Sequence, residues 1–209
     1  MCKIIVMANQ KGGVAKTSST RNLAYSLAEL GKKVLAVDFD PQTNLTISFG
    51  VAPAALQETA ASLMMKLVMD EALPEKESCI LNIGKVDLLP SKKTLTVAEV
   101  NLLIERKDDC LAKLLAPLRA DYDYILVDTG PSLGSLTINA FTAADEIIIP
   151  VDPELFALVG LKELTETISK IKQNLNPKVE IIGILFTKCS KRTTLYRQTS
   201  EQVRSVFGH

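Results

Sequence analysis

The sequence predicts an α/β fold, a mostly parallel central sheet with helices on both faces. Short, continuously apolar runs recur along the chain, as strands buried on both sides require. Stretches with apolar residues at helical spacing separate them. The first apolar run also enters a glycine-rich turn that opens a helical pattern, the join of a strand to a helix.

Taken in order, Ile4-Ile5-Val6-Met7-Ala8 reads as a strand. Thr17 to Leu30 reads as a helix with Leu23, Leu27 and Leu30 on one face and Gly31 as its stop. Val34-Leu35-Ala36-Val37 is a second strand, ending at Asp38. Gln42 to Asp70 reads as helical but irregular, interrupted near Gly50 and Pro53. Val86-Asp87-Leu88-Leu89 is a short strand, followed by a long helix from about Val97 to Leu118 and a strand from Tyr124 to Asp128. Ile147-Ile148-Ile149-Pro150 is the next strand. Leu155, Leu158, Leu161, Leu164, Ile168, Ile171 and Leu175 then form a helical stripe, stopped by Asn176-Pro177 and read as core rather than as a partner groove. Ile181 to Leu185 is a further strand, and a last helix reaches the end of the chain. With no internal boundary in view, residues 1–209 read as one domain.

Composition excludes several classes. The 24 basic and 24 acidic side chains cancel, so no global basic field announces nucleic acid and any such binding must come from a local patch. Cys2, Cys79, Cys110 and Cys189 are scattered without a paired motif, and the one histidine is the last residue, which argues against zinc and for a reducing cytosol. No run approaches the roughly 20 apolar residues of a membrane span. The first apolar run is too short for a signal peptide and leads into the glycine turn.

That turn, Lys11-Gly12-Gly13-Val14-Ala15-Lys16-Thr17-Ser18, carries the chemistry. Between a strand and a helix, such a run cradles phosphate with backbone N–H groups and a helix N-terminus. Lys16 can reach the β- and γ-phosphates and the Thr17 hydroxyl can ligate Mg²⁺. This is the P-loop pattern with an added cation, Lys11, at a position that is ordinarily variable. In open α/β sheets ligands sit at the carboxyl ends of strands, and Asp38, Asp40 and Asp128 all fall at such ends. Asp128 is expected to hold Mg²⁺ directly or through water. Asp40 is the better candidate for orienting an attacking water, with Asp38 assisting the metal through a water. A merely structural role for one of that pair stays open.

These residues resemble a known family. KGGVAKTS, DFDPQTN and ILVDTGPSLGSLTINAFTAAD, with LLPS and PELFALVGL, are similar to the ParA/Soj partition ATPases of the deviant Walker A group, relatives of MinD and the nitrogenase iron protein. The resemblance implies ATP and Mg²⁺ as ligands, Lys16 on phosphate, Thr17 on the metal, Asp128 as the Walker B acid and Asp40 as the catalytic acid. It makes Lys11 the signature lysine that reaches a partner's nucleotide across an ATP-bound homodimer. It also implies slow hydrolysis, a ParB-like activator, ATP-dependent non-specific DNA binding and a cytoplasmic, nucleoid-associated protein with no membrane partner. A small basic tract, Lys188, Lys191, Arg192, Arg197 and Arg204 against Glu201, would supply the DNA contact, with Arg192 matching a family arginine. The alternative for the tract is a solvated helix face with Arg197–Glu201–Arg204 pairing.

Two rival functions stay open: a MinD-like switch on a membrane, which needs an amphipathic C-terminal anchor, and a positioner of another cargo. The final segment does not read as strongly amphipathic. An iron–sulfur electron-transfer ATPase is disfavoured, because no cysteine lies in the Walker B region. The chain departs from the family at Ala15, where glycine is commoner and a methyl is tolerable if the backbone angle stays helical. It departs again at Gly130, where a proline is commoner and the turn is expected to be looser. Finally, it stops at Phe207-Gly208-His209, where family members continue for a strand and a helix that carry a Pro-Arg loop near the adenine.

Overall fold

A computed structural model describes residues 1–154, 157–190, 192 and 194–208. The chain runs β1 (Lys3–Met7), α1 (Lys16–Glu29), β2 (Val34–Phe39), α2 (Asn44–Ser48), α3 (Ala60–Val68), β3 (Leu81–Ile83), β4 (Val86–Leu89), α4 (Leu95–Ile104), α5 (Cys110–Leu115), β5 (Tyr124–Thr129), α6 (Ser135–Ala143), β6 (Glu146–Val151), α7 (Ala157–Asn174), β7 (Glu180–Phe186) and α8 (Thr194–Phe207). The strands form one sheet in the order β3-β4-β2-β5-β1-β6-β7. The pairs from β4 to β7 are parallel, and only the β3–β4 pair is antiparallel. This is the expected α/β architecture, with β5 at its centre and β1 beside it.

Alternation along the strands sorts side chains between two cores. Ile4, Val6, Leu35, Val37, Phe39, Ile125 and Val127 face one side, packed with residues from α3 to α7. Ile5, Val34, Ala36 and Leu126 face the other, where α1 and α2 contribute Ala24 and Leu45. The period of two then puts Asp38 and Asp128 on the α1 side, at adjacent strand ends and in register with each other. Two carboxylates are thereby carried, fully buried, to the start of α1.

Several elements differ from the expectation. The helix expected from Val97 to Leu118 is two helices. Arg106 adopts φ 52 and Lys107 N–H bonds back to the Leu102 carbonyl, closing α4 as a left-handed cap normally filled by glycine. The irregular segment after Gln42 resolves into α2, a 3-10 turn at Pro53–Ala55, and α3, whose Thr59–Ser62 capping box fixes its start. The β3 strand was not expected. It pairs with β4 through Gly84, at φ 70, which supplies the positive φ required at the first position of a two-residue hairpin turn.

Gly31 does end α1, at φ 76, but Leu30 lies outside the buried face at 76% exposure. In α7 the buried stripe is Leu161, Leu164, Ile168 and Ile171; Leu155 lies outside the described residues. The α8 helix corrects the reading of a weakly amphipathic end. Val203, Thr199 and Ser200 turn inward while Arg197, Glu201 and Arg204 turn out, and Tyr196 meets Phe186 edge-on at 6.0 Å.

Candidate functional site

The cradle forms between β1 and α1. Gly13 (φ 74) and Ala15 (φ 63, ψ 29) both adopt left-handed backbone conformations around buried Val14. Such alternation turns successive N–H groups to one side, a concavity for anions. Ala15 thus lies outside the ordinary helical backbone, in a left-handed region that costs a side chain on the order of 1 kcal/mol. The α1 helix starts at Lys16 with no side-chain cap and no acid in its first turn, so its first N–H groups and its positive end are left for a ligand. The cavity outside this start is about 480 Å³, with Gly12, Lys16, Thr17, Ser18, Asp40 and Lys188 on its walls.

Lys16 is 8% exposed, and its Nζ donates to the carbonyls of Asn9 at 2.9 Å and Lys11 at 3.1 Å. Burial lowers its pKa, with Asp128 and Asp40 opposing that shift. The Thr17 hydroxyl donates to Asp128 at 2.6 Å, and the Thr20 hydroxyl, one turn on, lies 3.4 Å from the other carboxylate oxygen. Burial pushes Asp128 up to about 7, against the Thr17 hydrogen bond.

Asp38, pushed up to about 6 by burial, accepts from the Thr46 hydroxyl at 2.6 Å, the Thr46 N–H at 2.7 Å and the Asp40 N–H at 3.3 Å. Its oxygens are therefore engaged in holding residues 40–46. Asp40 is buried, with Oδ1 accepting from Gln42 N–H at 2.9 Å and its carbonyl accepting from the Ser91 hydroxyl at 3.1 Å. A Cβ on Gly130 would stand 3.2 Å from Asp40 Oδ1, so this glycine gives Asp40 close access to the turn after β5.

Lys11 lies outside this cradle. Its ammonium is ion-paired with Glu154 beyond β6, in a neighbouring cleft lined by Asn9, Gln10 and Asp152. That pair holds the Glu154 carboxyl below its usual range. Lys188 is separated from the basic tract: its side chain reaches the cradle and lies 3.8 Å from Asp152. Arg192 and Arg197 are exposed, as the DNA reading requires, and Lys191 lies outside the described residues. Among the described residues Arg197 and Arg204 form no salt bridge with Glu201, so the pairing expected of a solvated face is not made.

Asn9, Thr20, Thr46, Ser91, Glu154 and the placement of Lys188 were missed by sequence reasoning. LLPS, which contains Ser91, and PELFALVGL, which contains Glu154, were noticed only as a resemblance; the others join distant segments and leave no local mark.

The donors at the cradle suit Mg²⁺ with a nucleoside phosphate. Thr17 and Asp128 offer hard oxygens, while the uncapped α1 N-terminus and Lys16 offer positive charge. Among the described residues no group of three or more acidic, cysteine or histidine side chains forms a metal cage, so remaining ligands would come from phosphate and water.

Residues 2–181 match the family model described as an AAA domain. An uncharacterised Mycobacterium tuberculosis protein is 41% identical over 209 residues, covering 99% of this chain and 64% of that protein, so this chain spans less than two thirds of that relative. The Myxococcus xanthus chromosome partitioning protein ParA is 41% identical over 98% of this chain and 71% of its own length. The Bacillus subtilis sporulation initiation inhibitor protein Soj is 38% identical over 99% and 81%. Among solved structures, a cobyrinic acid a,c-diamide synthase from Mycobacterium smegmatis with bound ADP and magnesium matches at TM-score 0.90 and 35% identity, covering 99% of this chain and 83% of that one. A plasmid partition protein from Borrelia burgdorferi matches at TM-score 0.81 and 30% identity, covering 97% and 85%. With a cradle of this geometry, a family model over most of the chain and relatives of this identity along its length, the chain belongs to the ParA/Soj family of P-loop ATPases.

Proposed function

We propose that this protein, as one domain, is an MgATP-dependent dimerising switch that hydrolyses ATP slowly and acts in plasmid or chromosome partition. The observation that carries the reading is the division of labour between two lysines. Lys16 is buried in its own cradle, whereas Lys11 is half-exposed on the far side and tied to Glu154. A lysine so placed is free to be redirected to a second subunit's nucleotide, where it would offset the charge of two facing phosphate chains.

In this reading Gly12, Gly13, Val14, Ala15, Lys16, Thr17 and Ser18 hold the phosphates. Thr17 and Asp128 hold Mg²⁺, which shields phosphate charge when bound. Asp38 fixes the loop that carries Asp40, and Asp40 orients the attacking water. Hydrolysis removes the γ-phosphate that stabilises the dimer, so nucleotide state controls assembly. Arg192, Arg197 and Lys191 supply phosphate contacts to duplex DNA. Doubling a weak patch by dimerisation raises affinity steeply. A DNA-bound ParB-like protein would complete water positioning, and the setting is the cytoplasm, on the nucleoid. No helix among the described residues is long and apolar enough to cross a membrane.

The test is retention of non-specific duplex DNA by Asp40→Ala protein at low salt, with ATP against ADP. Retention with ATP alone is expected. In a variant shown to dimerise with ATP, no retention with either nucleotide would overturn the DNA reading in favour of a membrane or another cargo surface.

A further inference from the structure

Lys188 belongs by sequence to the basic tract running towards Arg204, but the fold sends its side chain elsewhere. At the end of β7, Thr187 donates its N–H to the Val151 carbonyl at 2.8 Å and its hydroxyl to the Val14 carbonyl at 3.1 Å. These bonds fasten the strand end to the glycine turn. Lys188 follows at φ 52, a left-handed conformation uncommon for a residue with a long side chain. The chain turns back there, and the Lys188 Nζ comes to lie 3.8 Å from where a Cβ on Gly13 would stand. It lines the cavity shared by Lys16, Thr17 and Asp40.

We propose that Lys188 is a phosphate-binding residue, which supplies from the end of β7 a second cation, in the same subunit as Lys16, to the phosphate chain of a bound nucleoside di- or triphosphate. This rests on the nucleotide-binding reading above. Lys16 approaches the cradle from its buried floor, held by two backbone carbonyls. Lys188 lines the same cavity from an exposed position beside Gly13. Its ion-pair partner among the described residues, Asp152, lies 3.8 Å away, beyond hydrogen-bond reach, and the Lys188 side chain is 57% exposed. So loose and solvated a pair restrains it weakly. A phosphate oxygen in this cavity would give Lys188 a charge-assisted hydrogen bond that its contacts with the described residues do not supply. Lys11 cannot provide this contact in its own subunit while Glu154 holds it, so Lys188 gives a lone subunit the second cation that a dimer would otherwise bring.

The experiment measures Mg²⁺-dependent binding of a fluorescent ATP analogue to the full chain, with displacement by ATP, ADP and inorganic pyrophosphate. It compares wild type, Lys188→Gln, Lys188→Arg and Lys16→Ala, with thermal unfolding of each nucleotide-free protein as the folding control. Lys188→Gln is expected to weaken ATP, ADP and pyrophosphate alike by roughly tenfold, the scale of one charge-assisted contact, and Lys188→Arg to restore most of the loss. Unchanged affinities in a folded Lys188→Gln protein overturn the proposal. So does loss of ATP and ADP affinity with pyrophosphate unaffected, which would put the side chain against base or ribose. Failure of the wild type to bind either nucleotide or pyrophosphate would sink the nucleotide reading itself, and this contact with it.

Discussion

Asp128 and Asp38 sit in register at the ends of two neighbouring strands, buried on the same side of the sheet. In the absence of a cation this arrangement is costly. The Asp128 pKa is about 7 in the folded protein against an ordinary 3.8, mainly through burial. A folded-state pKa above the unfolded value favours the native protein below about 3.8, and that contribution is lost as pH rises through about 7. A shift of this size corresponds to something on the order of 4 kcal/mol at full ionisation. We therefore expect nucleotide-free Asp128→Asn to melt several degrees above the wild type at pH 8, with the gap shrinking towards pH 5. The amide oxygen can still accept the Thr17 hydroxyl. In the presence of MgATP the order should reverse. Equal melting of the two nucleotide-free proteins at pH 8 would show that the buried carboxylate is not the burden described.

At this scale the sequence was informative where chemistry follows residue type. That Lys16, Thr17, Asp38, Asp40 and Asp128 lie at one end of the sheet was legible, because a glycine turn after a strand and an acid at a strand end are local patterns. The backbone of Ala15 was not, since an alanine side chain carries no mark of a left-handed φ. The place of Lys188 was not legible, because its neighbours in sequence are basic, while its neighbours in space are Gly13 and Asp152.

Among elements, the segment from β2 to α2 is wired to the end of β4. Thr46, in α2, donates to Asp38, while its hydroxyl accepts the Ser91 N–H at 2.9 Å; the Ser91 hydroxyl donates to the Asp40 carbonyl. Three segments thereby fix one backbone position beside the cradle. Ser91→Ala removes the bond to Asp40 and leaves the phosphate contacts in place. ATP affinity should stay within about twofold of wild type, whereas turnover should fall roughly three- to tenfold, the size of one neutral hydrogen bond felt at the reacting centre. A fall in affinity equal to the fall in turnover would assign Ser91 a general structural role. The broken helix between α4 and α5 shows why such wiring was hard to read beforehand. Its stop is made by Arg106 and a backbone bond to Leu102, with neither glycine nor proline to announce it. The three-residue β3 was likewise too short to produce a pattern.

For the molecule as a whole, β1 is an interior strand with β5 and β6 on either side, so the crossover direction reverses at the strand that feeds the cradle. The Lys11–Glu154 pair bridges that reversal, from the end of β1 to the segment beyond β6. If Lys11 is exchanged between Glu154 and a second subunit, weakening the tether should favour assembly. In an Asp40→Ala background, Glu154→Gln is expected to lower the protein concentration needed for ATP-dependent dimerisation by roughly threefold, the modest scale of an exposed ion pair. Sedimentation velocity reads this directly, and an unchanged or raised dimerisation threshold would remove Glu154 from the switch.

The two margins of the sheet are unlike. One ends in the short antiparallel β3–β4 hairpin, while the other is β7, which among the described residues pairs only with β6 and exposes Ile182 and Leu185 at 50% and 42%. A long apolar strand with a free row of backbone donors and acceptors is a template for another strand. For residues 1–209 as an isolated chain, this margin is therefore expected to be the more adhesive one. Ile182→Lys should raise the concentration at which the isolated chain stays free of aggregates, measured by light scattering, while its affinity for ATP is unaltered. Because the margin lies beyond β6 from the cradle, its tendency to pair with another strand should be the same with and without nucleotide.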